Sequence, residues 1–274
     1  MTQRNHNSIW ALKDEENVWL EEEDKLKDLG IRYFSKMFKD DFKTNIVDQL
    51  KVIQLFPSFL SKEEIDSFSS MITLSEVEAT LKSFKKDKIL GPDGWLVEFF
   101  LDFFDLVGGD LLAAVESFRV SRRVDNALNS TFFSLIPKEE KPLSFADFRP
   151  ISLCNLVYKL ISKIAALRLK PFLDKSISPE QFGFLRHMQI VEPIGITQEA
   201  LHTLKTKKNC ALVLKLDLVK AFDRVNWSYL RLILLQIGVP LGGVNWLMGC
   251  LTSANFTILV NGTPSRYFTT SRGI

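Results

Sequence analysis

The sequence is poor in cysteine, has no long apolar run and carries almost no net charge. Its three cysteines, Cys154, Cys210 and Cys250, exclude a disulfide framework and a CxxC-type zinc site, and we expect core thiols in a reducing compartment. No apolar run approaches the ~20 residues of a membrane span, so no membrane partner is expected. The opening residues, MTQRNHNSIW, lack the basic-then-apolar build of a signal peptide, so we expect a nuclear or cytoplasmic location.

Charge is unevenly distributed along the chain, although the formal net charge is only +2. Residues 1–75 carry roughly −4 and the remainder roughly +6. The total is too small to indicate nucleic-acid binding by itself, so any basic surface must arise from this uneven distribution. With 274 residues, 46% of them hydrophobic, the chain can bury a substantial core and suits one large or two modest domains.

Hydrophobic periodicity predicts an α+β protein that is mostly helical, with a small antiparallel sheet near the C-terminus. The predicted helices are the second half of residues 9–40, the residues from Ser75 as N-cap to the turn at 91–94, and residues 95–124, 153–173, 194–204 and 229–237. The predicted strands are residues 132–137, residues 211–218 and a hairpin over residues 256–270 around Asn261-Gly262.

Asp217 lies near the end of the predicted strand over residues 211–218. The period of two places Asp217 on the face opposite the leucines, so its side chain leaves the core at the strand's end. A carboxylate in that position suits a hard divalent cation such as Mg²⁺. On local sequence alone we favour a simpler interpretation, in which Asp217 caps the following turn or pairs with Lys215 or Lys220.

The wider string over residues 215–225, KLDLVKAFDRV, resembles the first palm motif of LINE-type (non-LTR) retrotransposon reverse transcriptases, in a plant-like form. The resemblance implies that Asp217 binds both catalytic metal ions and that the backbone carbonyl of Leu218 helps to hold one of them. It also implies that Phe222 is the steric gate against a ribose 2′-hydroxyl, although ordinary packing remains open for Phe222. Asp223 is interpreted as a structural cap and not as a metal ligand.

Upstream, the segment over residues 147–168, which begins DFRPISLCN, resembles the fingers motif of the same family and is the longest match. The resemblance implies that Arg149, with Lys138 of the segment LIPK, faces the triphosphate of the incoming deoxynucleoside triphosphate. A guanidinium fork suits phosphate oxygens by charge and geometry. A structural role remains open for Lys138; Arg149 could pair with Asp147 or Glu140, but we favour the binding role for Arg149.

Two further segments agree with the family in order and spacing: KILGPDG at residues 88–94 and ISPEQFGF at residues 177–184. Taken alone, the first is only a type I turn. The joint order of the motifs implies the fingers and a partial palm of a right-hand polymerase. We therefore expect an N-terminal helical extension over residues 1–72, fingers over 73–204, and a partial palm with the first catalytic-aspartate motif over 205–274.

Two departures from the family pattern limit the expected activity. Two-metal nucleotidyl transfer needs more than one carboxylate, whereas Asp217 stands without the family's paired aspartates. In addition, residues 185–189 read LRHMQ where the family usually has VPGRQ. We therefore expect a fragment, truncated before the paired aspartates, that does not polymerise alone, with an RNA template and a DNA primer as its partners.

Two alternative functions remain open, namely a non-catalytic RNA-binding remnant of a retroelement and a helical interaction protein with no nucleic-acid role. The strand that carries Asp217 would lack its usual neighbours and leave an exposed edge. We therefore expect aggregation or partial disorder beyond about residue 205. The sequence carries no signal for an oligomeric state.

Overall fold

A computed structural model of the chain describes residues 8–40, 45–86, 91–121, 128–178, 180–181, 191–208 and 210–273. Parts of three motif segments lie outside the described residues: residues 88–90 before the Gly-Pro-Asp-Gly turn, residues 179 and 182–184 of the ISPEQFGF segment, and residues 185–189. Within the described residues, no helix combines the length and the apolar character that crossing a membrane requires.

Helices make up most of the described structure. They are α1 (Glu23–Met37), α2 (Ile46–Ile53), α3 (Lys62–Ser69), α4 (Leu74–Lys82), α5 (Val97–Asp102), α6 (Phe104–Ser121), α7 (Leu156–Ser176), α8 (Val191–Thr206), α9 (Trp227–Gln236) and α10 (Leu241–Thr252). Polar side chains cap several N-termini: Asn45, Ser61, Thr73 and Asn226 each accept a hydrogen bond from a backbone N–H of the first turn.

The strands form a two-stranded ribbon and a five-stranded mixed sheet. They are β1 (Leu12–Lys13), β2 (Trp19–Leu20), β3 (Ser130–Pro137), β4 (Phe148–Cys154), β5 (Asn255–Val260), β6 (Thr263–Pro264) and β7 (Phe268–Thr269). β1 pairs with β2, and the larger sheet runs β4-β3-β5-β6, with β7 also paired to β5. The β3–β5 pair is parallel and the other named pairs are antiparallel.

The larger hydrophobic cluster lies among the helices. Helix α7 supplies its central stripe, in which Leu160 and Ile164 are fully buried one helical turn apart. Val77 from α4, Val115 from α6 and Val244 from α10 pack into the same cluster and are also fully buried. Helices distant in sequence therefore share one core.

A second hydrophobic cluster joins α1 to the five-stranded sheet. Phe34 of α1 lies with its ring centroid 5.7 Å from that of Phe133 on β3 and 6.0 Å from that of Phe145. Leu26 of α1 and Ile258 of β5 are buried in the same cluster. The N-terminal helix is thus part of the core that supports the sheet.

The structure confirms the strongest sequence predictions. A helix occupies the second half of residues 9–40, a strand ends at Pro137, and helices cover most of residues 153–173 and all of 194–204. The hairpin around Asn261-Gly262 also forms, with Val260 paired to Thr263. Asn261 and Gly262 both have a positive φ, as the tight turn of a two-residue hairpin requires.

The strand predicted over residues 211–218 is wrong, because these residues belong to no helix or strand. Leu212 and Leu216 are 93% and 79% exposed. A strand needs a neighbour for its backbone hydrogen bonds, and no described residue forms a ladder with this segment. The expected aggregation or partial disorder beyond about residue 205 stays a prediction; in the structure, Trp246 and Ile258 of this region are buried in the two clusters.

Several finer predictions need correction. Thr73, and not Ser75, caps α4, since its side chain accepts from the N–H of Glu76. Leu153 belongs to β4, so α7 begins only at Leu156. Cys210 is exposed and not a core thiol. The mostly helical α+β fold with a small sheet is confirmed, but the sheet is mixed and also includes β3 and β4, because β5 pairs in parallel with β3.

The expected division at residues 72/73 and 204/205 remains a prediction. The helical cluster includes Phe68 from the first proposed region, Leu160 from the second and Trp246 from the third. Any such regions therefore share a continuous core.

Candidate functional site

A cavity of about 190 Å³ lies where β3 ends and β4 begins. Ile136 pairs with Arg149 and Pro137 with Phe148, so Lys138 and Arg149 lie side by side at this end of the ladder. The backbone N–H of Lys138 donates to the carbonyl of Asp147 (2.8 Å), which extends the pairing by one residue. The cavity lining is Tyr33, Phe34, Met37, Lys138, Phe148, Arg149, Pro150, Lys220 and Asp223.

Arg149 is exposed at the cavity, and neither Asp147 nor Glu140 forms a salt bridge with it among the described residues. The Asp147 carboxylate is instead used locally: it accepts hydrogen bonds from the N–H groups of Leu143 and Ser144, both at 2.9 Å. The structural pairing considered for Arg149 is therefore not formed.

Lys138 is also exposed, and its ammonium donates to the carbonyl of Ala146 at 2.7 Å. This contact uses one of the three ammonium protons and leaves the positive charge without a carboxylate partner among the described residues. Lys138 and Arg149 thus present two cations at one cavity.

The cavity contains two charged residues that the sequence analysis did not assign to it. Lys220 follows the 210–219 segment, and Asp223 lies within the 3₁₀ turn Phe222–Arg224. Asp223 is not the cap of that turn, which begins after Ala221. Burial raises the pKa of the Asp223 carboxyl above its ordinary value, against the opposing effect of the charges of Lys220, Arg224 and Lys138.

Asp217, Leu218 and Phe222 lie on the exposed segment that leads into the cavity. Leu218 is 78% and Phe222 56% exposed. Asp217 is exposed as well. The three residues therefore share one surface segment, which ends at Lys220 and Asp223 of the cavity wall.

The residues in the described ranges do not make up a complete site for two metal ions. Each divalent cation of a two-metal catalytic site takes several oxygen ligands, mostly from carboxylates. No group of three or more histidine, cysteine, aspartate or glutamate side chains that could hold a metal ion occurs in the described part of the chain. Asp217 and the Leu218 carbonyl could contribute two oxygen ligands, which is fewer than the chemistry needs.

The sequence profile of a family described as reverse transcriptase (RNA-dependent DNA polymerase) matches residues 136–274. The chain belongs to the reverse transcriptase family. The match includes all five residues that the sequence analysis assigned to the site, from Lys138 to Phe222. Members of this family work with divalent metal ions, nucleotides and a nucleic-acid template.

Named relatives of this reverse transcriptase chain come from non-LTR retrotransposons. It is 26% identical over 275 aligned positions to the transposon TX1 uncharacterized 149 kDa protein of Xenopus laevis, covering 98% of this chain and 20% of that protein. It is 27% identical to the Pol polyprotein of the type-1 retrotransposable element R2 of Popillia japonica, covering 52% and 20%. A third relative, the probable RNA-directed DNA polymerase from transposon X-element of Drosophila melanogaster, is 36% identical over 95 residues, covering 34% and 10%. The chain thus spans a fifth or less of the length of these relatives.

Sequence reasoning missed Lys220 and Tyr33 for different reasons. Lys220 lies inside the matched string over residues 215–225, but the motif assigns no role to it. Tyr33 lies on α1, 187 positions away, where only helix periodicity was visible. The left-handed backbone of Lys220, with φ 52°, is the feature that makes it unusual, and it appears only in the structure.

Proposed function

We propose that this chain forms the fingers and part of the palm of a LINE-type reverse transcriptase, whose complete enzyme carries out RNA-directed DNA synthesis. The observation that carries the proposal is the presence of Lys138 and Arg149 at one cavity, with Asp217 on the segment that leads into it. Two cations at a cavity of this size suit the polyphosphate of an incoming deoxynucleoside triphosphate.

The proposed roles follow from the chemistry of each side chain. Arg149 has no carboxylate partner among the described residues, so its planar fork is available for two phosphate oxygens. Lys138 adds a compact positive charge beside it. Phe222 is exposed next to the cavity and acts as the gate against a ribose 2′-hydroxyl. The partners are an RNA template and a DNA primer, and the proposed location is the nucleus or cytoplasm.

Mg²⁺ is the proposed metal ion, with Asp217 and the Leu218 carbonyl as the ligands that this chain supplies. These two oxygens are too few for two-metal catalysis, which needs more carboxylates than the described residues bring together. We therefore propose that the 274-residue chain binds nucleotides but does not extend a primer by itself. In the proposed division, residues 1–72 are an N-terminal extension, 73–204 the fingers and 205–274 part of the palm.

Equilibrium binding of a deoxynucleoside triphosphate to the purified chain tests the proposed site. Arg149→Gln and Lys138→Gln should each weaken binding about tenfold, because each removes a charge-assisted contact to phosphate. Lys170→Gln is the matched control, since Lys170 is an exposed lysine of α7 that does not line the cavity. Unchanged affinity in the Arg149 variant would contradict the proposal.

Primer extension tests the expected lack of polymerisation. Incubation with an RNA template, a DNA primer, Mg²⁺ and deoxynucleoside triphosphates should give no extended product. Extension that Asp217→Asn abolishes would overturn the proposed inactivity, although it would support the assignment as a reverse transcriptase and the role of Asp217.

A non-catalytic RNA-binding function is the second candidate, since the same cationic cavity and the incomplete carboxylate set suit it. Binding of RNA with an affinity that falls steeply with salt, as counterion release requires, would favour this function if the chain has no affinity for nucleotides. Absence of RNA binding at low salt, together with absence of nucleotide binding, would instead favour a helical interaction protein.

A further inference from the structure

Lys220 is held by the N-terminal helix. Its Nζ atom lies 3.0 Å from the Tyr33 hydroxyl and 3.0 Å from the Met37 sulfur, both on α1, and 5.4 Å from the centroid of the Tyr33 ring. No described carboxylate lies within salt-bridge distance of this ammonium group. The groups that fix the position of the Lys220 ammonium are therefore neutral.

The backbone at Lys220 also has an uncommon conformation. Its φ of 52° is in the left-handed region, which a side chain with a Cβ seldom adopts. Residues held in such conformations occur often at ligand-binding sites, where the surrounding structure maintains them. Here the Tyr33 contact and the 3₁₀ turn Phe222–Arg224 directly after Lys220 fix the ammonium at the cavity wall.

The three cations of the cavity come from three different segments. Lys138 follows β3, Arg149 belongs to β4, and Lys220 precedes the 3₁₀ turn. Asp223 is the one carboxylate in the lining described above, so positive charge exceeds negative charge. Cations from separate segments can contact different phosphate groups of one polyphosphate, whereas a single phosphate would leave some of these cations unused.

We propose that Lys220 is a third phosphate-binding residue, which contacts the triphosphate of the incoming nucleotide together with Lys138 and Arg149. Tyr33 is its positioning residue: its hydroxyl accepts a hydrogen bond from the ammonium group and its ring lies close to the positive charge. The inference rests on the proposed nucleotide-binding function and adds to it a third cation of the cavity, from a different segment of the chain. It also gives α1 a role in nucleotide binding through Tyr33.

Binding of inorganic tripolyphosphate to the full 274-residue chain tests the inference without any need for polymerisation. Lys220→Gln should weaken binding about tenfold, whereas the control Lys170→Gln should change it less than twofold. Lys220→Arg keeps the charge and should retain most of the affinity. Asp223→Asn should strengthen binding, because it removes the negative charge from the cavity. Circular dichroism and thermal unfolding show whether each variant remains folded.

Tyr33→Phe tests the positioning role separately, because it removes only the hydroxyl. We expect about threefold weaker tripolyphosphate binding in the wild-type background and no further loss in the Lys220→Gln background, since both changes act through the same ammonium. Equal effects of Tyr33→Phe in both backgrounds would overturn the positioning role.

The outcomes distinguish the inference from the proposed function on which it rests. If Lys138→Gln and Arg149→Gln weaken binding while Lys220→Gln behaves like Lys170→Gln, the inference is overturned and the proposed function stands. If none of the three cavity variants weakens binding, or the wild-type chain does not bind, both are overturned. If Lys220→Gln weakens binding of an RNA oligonucleotide but not of tripolyphosphate, Lys220 contacts a nucleic-acid backbone and the inference is wrong.

Discussion

Asp147 and Arg149 have opposite surroundings although they are two positions apart. Three hydrogen bonds from Leu143 and Ser144 satisfy the Asp147 carboxylate, which holds the turn before β4. Arg149, the second residue of β4, forms no salt bridge with a carboxylate among the described residues and lines the cavity. The aspartate of this motif therefore shapes the backbone, and the arginine provides the charge for binding.

The Asp147 carboxylate should make stability depend on pH. Partial burial acts to raise its pKa, but the hydrogen bonds from Leu143 and Ser144 and the charge of Lys138 outweigh burial and hold the pKa below its usual value. Because the pKa of Asp147 is lower in the folded state, its ionised form stabilises the fold at pH values above the unfolded-state pKa near 4. This stabilisation is lost as the pH falls below that value. We expect Asp147→Asn to lower the free energy of unfolding by about 1 kcal/mol at pH 7, and by less as the pH approaches 3.

Urea unfolding of both proteins between pH 7 and pH 3 measures this difference. The Asn side chain keeps an acceptor oxygen for the same hydrogen bonds and lacks only the charge. A difference between the two proteins therefore reports the charge and not the loss of an acceptor. A stability difference that stays constant over this pH range would contradict the assigned cause.

At the scale of elements, the Gly-Pro-Asp-Gly turn is fixed by its contact with the junction of β4 and α7. A Cβ on Gly91 would lie 2.4 Å from the backbone oxygen of Cys154, and the N–H of Asp93 donates to the Asn155 side chain at 3.0 Å. Gly94, in the same turn, has a φ of 72° but open space around it. The two glycines are thus required for different reasons.

Gly91→Ala should therefore destabilise the protein more than Gly94→Ala. The Gly91 change pushes the methyl group against the backbone of Cys154 and should lower the free energy of unfolding by about 3 kcal/mol. The Gly94 change places an alanine in a left-handed conformation and should lower it by about 1 kcal/mol. Thermal unfolding of the two variants compares the same substitution in one turn. Equal losses would mean that the junction moves to accept the methyl group at position 91.

Helices α4 and α7 are joined by a partly buried ion pair between Glu76 and Arg168. Both carboxylate oxygens of Glu76 accept from Arg168, at 2.8 and 2.7 Å, and the same guanidinium donates to the carbonyls of Phe68, Ser70 and Met71. The Arg168 side chain is only 10% exposed. The Arg168 side chain thus links the segment between α3 and α4 to α7.

Arg168→Ala should lower the free energy of unfolding by about 3 kcal/mol, because it leaves Glu76 and several backbone carbonyls without their hydrogen-bond donor. Arg168→Lys should recover only part of the loss, since an ammonium cannot form the planar two-bond contact. Lys82→Ala is the control: it breaks the exposed Lys82–Glu78 pair on the same helix and should cost about 0.5 kcal/mol or less. Denaturant unfolding measures all three variants, and equal losses for Arg168→Ala and Lys82→Ala would contradict the assignment.

At the scale of the whole molecule, residues 226–273 contribute to both hydrophobic clusters, whereas residues 210–219 are exposed. The end of the described chain is held to α1: the Arg272 guanidinium donates to the Met37 carbonyl, and the N–H of Ser271 donates to the Phe38 carbonyl at 2.9 Å. The Trp227 indole N–H donates to the Gly273 carbonyl at 2.6 Å. These contacts hold the C-terminal end of the described chain against the end of α1 and the start of α9.

Limited proteolysis should therefore cleave before residue 226 and leave the C-terminal part intact. Helix α8 buries none of its described residues, and Lys207, Lys208 and Lys215 are exposed. We expect the first tryptic cuts at these lysines, identified by mass spectrometry, with the C-terminal fragment still bound to the remainder. Rapid loss of that fragment would contradict the packing described here, and Lys215→Gln should remove the cut at that position alone.

The sequence by itself determined the elements that local interactions specify. Periodic leucines and isoleucines fix α7, and Asn261-Gly262 supplies the positive φ angles of its hairpin, because both signals act over a few residues. The charged residues Lys138 and Arg149 could also be identified, since they lie eleven positions apart within matched motifs. All of these features need no knowledge of distant partners.

Only the tertiary structure decided the features that depend on distant partners. Residues 211–218 have the pattern of a strand but no paired neighbour among the described residues, and β5 joins β3 in parallel across more than a hundred positions. Lys220 reaches Tyr33 across 187 positions. A sequence pattern states which face a side chain occupies but not which backbone or side chain meets it, so the third cation of the cavity became visible only in the folded chain.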